Sequence, residues 1–246
     1  MRILPWFAAL LLCSCAADVP PRTTPASAPP APMPVPAAPR LPSLQQRLAE
    51  AAPDADPSAI GFALRARQCA LRSGLATGGS TLGGSILGVI DYTRPSTQPR
   101  LWVFDLDRPR LLYSEYVAHG RGSGGNFATR FSNDDGSLQS SLGLFRTAET
   151  YVGDNGYSLR LDGLEPGIND HARDRALVMH GAWYVDPLLA RTQGRIGRSL
   201  GCPALRPAVA HALIDTLGQG QWLFAYYPDA RWLKESRLLH CEPYER

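Results

Sequence analysis

Apolar positions between residues 43 and 74 recur at helical spacing. Ser43 followed by Gln46 is a capping-box pattern, with Leu44 and Leu48 on one face. Asp56-Pro57 opens a second helix that closes at Gly74, and Ile60, Leu64 and Leu71 give it an apolar stripe. The two helices form a preface, residues 43–76, expected to pad the larger domain beyond it. After a Gly/Ser/Thr turn at 78–84 the pattern changes to that of strands. Runs at 86–92, 101–106 and 111–117 read as strands, and Asp107-Arg108-Pro109-Arg110 turns the second into the third. Further strands are expected at 142–147, 157–161, 176–180 and 222–227, with one helix among them at 207–217. Many short strands with Gly-rich connections predict a mainly β domain, a sandwich or small barrel, over residues 77–246. Residues 120–141 form a long polar loop, of the kind that is functional or disordered.

Ahead of the preface the pattern is that of a leader. Residues 1–17 read as a signal peptide, with a basic start and an apolar core too short to span a bilayer comfortably. Leu12-Cys13-Ser14-Cys15-Ala16 resembles a bacterial lipoprotein box, although Cys13 stands where a small or aliphatic residue is usual. Cleavage there leaves Cys15 as a lipidated N-terminus; cleavage near Ala16-Ala17 leaves a soluble protein. Residues 18–42, dominated by Pro and Ala, form an extended, disordered linker. The expected location is outside the cytoplasm, in the periplasm, with an outer-membrane lipid anchor if Cys15 is modified.

Composition narrows the picture only a little. The chain has 246 residues, a net charge of +3 and 19% charged residues, a balance that fits one globular domain with attachments and carries no nucleic-acid signature.

The chemistry centres on His180 and Cys202. His180-Gly181 closes the apolar run at 176–179, and Gly201-Cys202 ends an Arg- and Gly-rich loop that is expected to open a helix. A thiolate to attack, an imidazole to take the proton and backbone N–H groups to hold an oxyanion are what cysteine catalysis needs. Gly201 allows a sharp turn and close approach of the backbone, and a helix N-terminus favours a thiolate. A buried thiol and a satisfied strand-end histidine are the plainer alternative.

The surrounding residues resemble the murein L,D-transpeptidase catalytic domain family, a divergent branch of the YkuD-type L,D-transpeptidases. The likeness rests on His119-Gly120-Arg121-Gly122-Ser123-Gly124, Phe131-Ser132-Asn133, Gly136-Ser137, Ser141-Leu142-Gly143, Tyr151-Val152-Gly153, Gly156-Tyr157-Ser158-Leu159, Leu161-Asp162-Gly163-Leu164-Glu165, His180-Gly181 and Gly197-Arg198-Ser199-Leu200-Gly201-Cys202-Pro203-Ala204. It covers about residues 86–228. It implies a YkuD-like β-sandwich or barrel with one helix after the nucleophile, and a cysteine acyltransferase acting on peptidoglycan stem peptides. Cys202 is then the nucleophile and His180 its base. The N–H groups of Gly201 and Cys202 hold the oxyanion, and the Gly181 carbonyl orients His180, with Ser199 or His119 assisting.

In the ordinary family a histidine precedes the Gly-Cys and an Arg or Asn lies two residues beyond the cysteine. Leu200 and Ala204 stand there in this chain. Arg191, Arg195, Arg198 and Arg206 offer replacement carboxylate contacts, Arg198 foremost, unless they only form a solvated basic loop. His119, Asn133, Ser141 and Trp183 are the other candidate substrate contacts, with Asn126 and Asp134 behind them. Trp183 and Tyr184 also read as core fillers. Two alternatives remain: water as acceptor gives an L,D-carboxypeptidase, and a site without turnover gives a peptidoglycan-binding envelope lipoprotein. No metal or other cofactor is expected. Cys69 and Cys241 are either a disulfide fastening the preface to the C-terminal tail or two buried free thiols.

Overall fold

Eight strands make one sheet in the computed structural model, which describes residues 42–75 and 84–241. In chain order they are β1 (Ile86–Asp91), β2 (Leu101–Asp105), β3 (Arg110–Glu115), β4 (Gly143–Gly153), β5 (Gly156–Gly163), β6 (Val178–Gly181), β7 (Ala204–Leu205) and β8 (Trp222–Tyr226). Their order across the sheet is β3-β2-β1-β8-β4-β5-β6-β7. The pairs β1–β8 and β6–β7 are parallel and all other neighbours antiparallel. β8, the last strand in the chain, thus lies between β1 and β4. Every residue of β8 is buried, which is why it reads as an unbroken apolar run and not as an alternating one.

The two edges of the sheet approach each other again. Val117, just beyond β3, bridges Leu205 of β7, and the Ala118 N–H donates to the Ala204 carbonyl at 2.8 Å. The sheet is therefore a nearly closed, mainly β structure, as the strand pattern predicts. A register shift between Thr147 and Thr150 bends β4 along the way. β7 has two residues, too few for a hydrophobic period, and escapes detection in the sequence.

The described residues, from Pro42 onward, belong to one compact unit that includes the two leading helices. Helix α1 (Leu44–Ala51) carries the full Ser43/Gln46 capping box. Helix α2 (Pro57–Arg72) is capped by Asp56. Its inward face is Ala59, Ile60, Ala63, Ala66, Cys69 and Ala70, not the leucine stripe, and Leu71 is 36% exposed. Small side chains let this helix lie close against the strands, and its buried face joins their apolar core. Cys69 of α2 is bridged to Cys241, with the two Cα atoms 4.9 Å apart.

Four more helices lie in the β region, where the sequence pattern predicts one: α3 (Pro187–Gln193), α4 (Pro207–Thr216), α5 (Ala230–Glu235) and α6 (Arg237–His240). Only α4 is long enough to show a periodic stripe. The others are marked by their caps, Asp186, Asp229 and Ser236. The buried carboxylate of Glu165 joins α5 and α6 to β4, accepting from Trp232 Nε1, Ser236 Oγ and the Leu144 N–H.

The predicted signal peptide with Cys15, nearly all of the 18–42 linker and most of the 78–84 turn lie outside the described residues. Among the described residues no helix is long and apolar enough to cross a membrane.

Candidate active site

β6 and β7 bring the two sequence-predicted residues onto neighbouring strands. His180 of β6 pairs with Ser158 of β5 and Ala204 of β7, and Cys202 sits two residues before Ala204. The half-buried Cys202 sulfur accepts from the Val178 N–H at 3.5 Å and lies 3.8 Å from the Ala176 carbonyl. Cys202 does not open a helix. Pro203 leads into β7, whose pairing with β6 extends the chain, and α4 begins only at Pro207. No helix therefore begins at Cys202.

The turn carrying Cys202 is organised by Ser199. Its Oγ donates to the Cys202 carbonyl at 2.7 Å and accepts from the Gly201 N–H at 3.1 Å. The Gly201 N–H is thus engaged, which corrects its expected part as an oxyanion donor. Gly201 has φ +140°, a conformation that side chains rarely adopt. Gly120 is needed for a different reason: a Cβ there would collide with the Leu138 carbonyl and the Gly201 Cα. Ser140 connects these segments, accepting from the Gly120 N–H at 3.0 Å and donating to the Gly201 carbonyl at 2.9 Å.

His180 places Nδ1 3.0 Å from the Gly181 carbonyl. A carbonyl can only accept, so Nδ1 carries the proton and Nε2 is left as the basic nitrogen. Burial lowers the His180 pKa below its ordinary value, partly offset by this bond. Burial also raises the Cys202 thiol, against the pull of the Val178 N–H, its own N–H and the charge of Arg175. The resting pair is neutral thiol and neutral imidazole. Both side chains hydrogen-bond to backbone and not to each other, a spacing common before substrate tightens a site.

The remaining candidates separate. His119 is fully buried, so it cannot touch substrate. Its Nδ1 accepts from the buried Arg100 at 2.7 Å, and burial together with the Arg100 charge lowers its pKa to about 3. Arg100 is itself held by the Val117 and Arg94 carbonyls. Ser141 is buried too, with its Oγ bonded to the Ser132 carbonyl and to Arg175. Asn133 bonds Asp170 and His171 and, with Asp134, lines a cleft of about 350 Å³ whose walls do not include the Cys202 turn. Asn126 is engaged with Ser96. Arg198 donates to the Gly124 carbonyl at 2.8 Å, Arg195 to the Ile196 carbonyl, and Arg206 forms a fork on Glu115. Arg191 is exposed on α3. Trp183 is not a core filler: it is 79% exposed, edge-on to the half-buried Tyr184.

Two residues near the sulfur are not marked as polar participants by the sequence. The Tyr184 hydroxyl is pushed up to about 12 by burial and by the charge of Cys202. Arg175, directly before the Ala176 carbonyl, donates to Ser132, Ser137, Gln139 and Ser141, and its guanidinium lies 3.8 Å from where a Gly201 Cβ would stand. In the sequence Arg175 looks like one member of the charged run 173–175. Its one distinguishing mark is its position at the mouth of the apolar run that ends in His180. Among the described residues no group of three or more His, Cys, Asp or Glu side chains converges as a metal site.

A family model described as L,D-transpeptidase catalytic domain matches residues 56–226, from the cap of α2 to the last residue of β8. Among solved structures the chain is similar to an L,D-transpeptidase from Mycobacterium smegmatis, at 15% identity and TM-score 0.36, covering 58% of this chain and 59% of that one. It is also similar to L,D-transpeptidase 1 of Mycobacterium tuberculosis, at 13% identity and TM-score 0.33, covering 58% and 62%. A mutant L,D-transpeptidase of Enterococcus faecium is similar at 14% identity and TM-score 0.34, covering 59% and 50%. The chain thus spans from half to about six tenths of these structures. No curated protein matches it. The family model takes in well over half of the sequence, and the chain belongs to the L,D-transpeptidase catalytic-domain family.

Proposed function

We propose that the protein is an exported, cysteine-dependent peptidoglycan L,D-transpeptidase that acts on stem tetrapeptides in the periplasm. The observation that supports this most is the pairing of β6 with β7. It sets a thiol in a backbone pocket at Val178 beside a strand whose His180 is fixed, by Gly181, with Nε2 as base.

In this reading His180 Nε2 takes the Cys202 proton as the sulfur attacks the carbonyl of the third stem residue. The Cys202 N–H faces the developing oxyanion. Collapse breaks the bond to the terminal D-alanine, whose amine receives the proton from His180, and leaves a thioester on Cys202. The amine of a neighbouring stem then attacks the thioester, giving its proton to His180 and restoring the thiol. Neutral resting partners suit this sequence, because proton transfer then accompanies attack.

Mass spectrometry of products from disaccharide-tetrapeptides, with the wild-type protein and Cys202→Ala, tests the reading. Dimers lacking one D-alanine are expected from the wild type. Cys202→Ala should lose roughly a thousandfold or more of this activity with its fold intact. Tripeptides without dimers would make the enzyme an L,D-carboxypeptidase. Binding without turnover by either protein would favour an envelope-anchoring role.

A further inference from the structure

Arg175 is more deeply engaged than any arginine the sequence brings forward. Its two terminal nitrogens donate four hydrogen bonds: to the Ser132 carbonyl and Ser141 Oγ, both at 2.7 Å, to Ser137 Oγ at 3.1 Å and to the Gln139 carbonyl at 2.8 Å. A guanidinium has five N–H groups, so four are spent on the protein itself. That leaves no fork with which to bind a stem carboxylate. None of the four acceptors is a carboxylate. Asp134 and Asp135 act on Arg175 only through their charge. The positive charge is therefore fixed in place without being cancelled by a direct ion pair.

Its location is also specific. One terminal nitrogen lies 3.8 Å from the Cβ position of Gly201, directly before the nucleophile. The next residue, Ala176, turns its carbonyl to the Cys202 sulfur and has φ +51°, a left-handed conformation rare for any residue with a Cβ. On the far side, Leu138 has φ +58° within the loop that Arg175 grips, and its carbonyl accepts from the Gly122 N–H at 2.8 Å. Two strained residues thus flank the guanidinium, one on each segment it joins.

We propose that Arg175 is a positioning residue of this site: it fastens the loop of residues 132–141 to the segment that carries the Ala176 carbonyl and holds a permanent positive charge against Gly201, next to Cys202. The inference deepens the transpeptidase reading and rests on it for its purpose, though not for its test. Other titratable groups face the sulfur as well. Tyr92 lies beyond β1 and Tyr184 beyond β6, and each interacts with the Cys202 charge. Both are neutral at ordinary pH, and so is His180. Among the described residues Arg175 is the cation that acts on Cys202.

The test follows alkylation of Cys202 in the full-length protein, read by mass spectrometry of the peptide that carries it. Neutral iodoacetamide and anionic iodoacetate are compared across pH and salt. In the wild type iodoacetate should react faster, relative to iodoacetamide, than it does with a free cysteine peptide, and salt should erase the advantage. Arg175→Gln should remove that preference and raise the pH midpoint of alkylation by about one unit. Arg175→Lys should restore most of both, and Arg231→Gln, on the surface of α5, should leave both unchanged.

An unchanged midpoint in Arg175→Gln would overturn the proposal. So would a wild-type protein with no preference for the anion, a measurement that stands even if Arg175→Gln does not fold. Alkylation needs no stem peptide. A Cys202 that titrates as described but forms no product from tetrapeptides would sink the transpeptidase reading and leave this one standing.

Discussion

Around β8 and α5 the molecule is joined by large apolar side chains, whereas around β7 it is joined by hydrogen bonds from serines and an arginine. The Trp232 ring lies 5.7 Å from that of Phe224 and 6.3 Å from that of Tyr226, two residues of β8. Near Cys202 the contacts are of another kind: Ser140 to Gly120 and Gly201, Ser199 to Gly201 and Cys202, Arg175 to four partners in one loop. Of the three non-glycine residues with positive φ among those described, Leu138 and Ala176 belong to this second region. Apolar packing tolerates small shifts and supplies most of the stability. Hydrogen bonds to backbone fix atoms in direction as well as distance. The first region keeps the fold; the second spends part of that stability on geometry.

The largest expected effect is in the apolar region. Trp232→Ala should cost about 3–5 kcal/mol in urea denaturation while leaving the alkylation midpoint of Cys202 where it was. A shifted midpoint would show that the two regions are coupled.

Acid should separate them next. His119 is held neutral down to about 3, against an ordinary value of 6.5, so the unfolded chain takes up a proton that the folded chain refuses. Stability from this group is complete above pH 6.5 and is lost as pH falls towards 3; at pH 5 the loss is about 2 kcal/mol. His180 is shifted in the same direction. Burial raises the Glu165 carboxyl beneath Trp232, so its contribution has the opposite sign and grows as pH falls. Denaturation at about pH 7.5 and pH 5 should therefore show a smaller acid loss in His119→Gln than in the wild type. An equal loss in both would remove His119 as the source.

The smallest effect is a gain. Ala176→Gly should stabilise the protein by about 1 kcal/mol, since glycine accepts φ +51° without the Cβ penalty. The same change should slow iodoacetate alkylation by freeing the segment that carries Arg175. A gain in stability with no change in alkylation would mean that the strain serves no purpose at the sulfur.

Strands buried on both faces are legible in the sequence as unbroken apolar runs, as in β1, β2 and β8, whereas β4, the longest, is legible only over its buried first half. That His180 and Cys202 lie on neighbouring segments is legible from motif alone, and the close backbone contact at Gly201 from its residue type. Other features depend on partners remote in sequence. His119 reads as an accessible second imidazole because nothing nearby announces Arg100, 19 residues earlier, as its buried donor. The Gly201 N–H reads as free because the sequence does not show Ser199 folding back upon it. Arg175 is hidden among charged neighbours, with acceptors 34 to 43 residues away. Ala204 reads as a lost contact. It is fully buried in β7, paired with His180.

The bridge between Cys69 and Cys241 spans 172 residues and so converts nearly the whole catalytic fold into a covalent ring. A protease cut at the exposed hairpin tip, Asp154-Asn155, opens that ring without releasing a fragment. Nicked protein would run as a single species on a gel until reductant is added, and all eight strands would stay tethered to one another after the backbone has been severed.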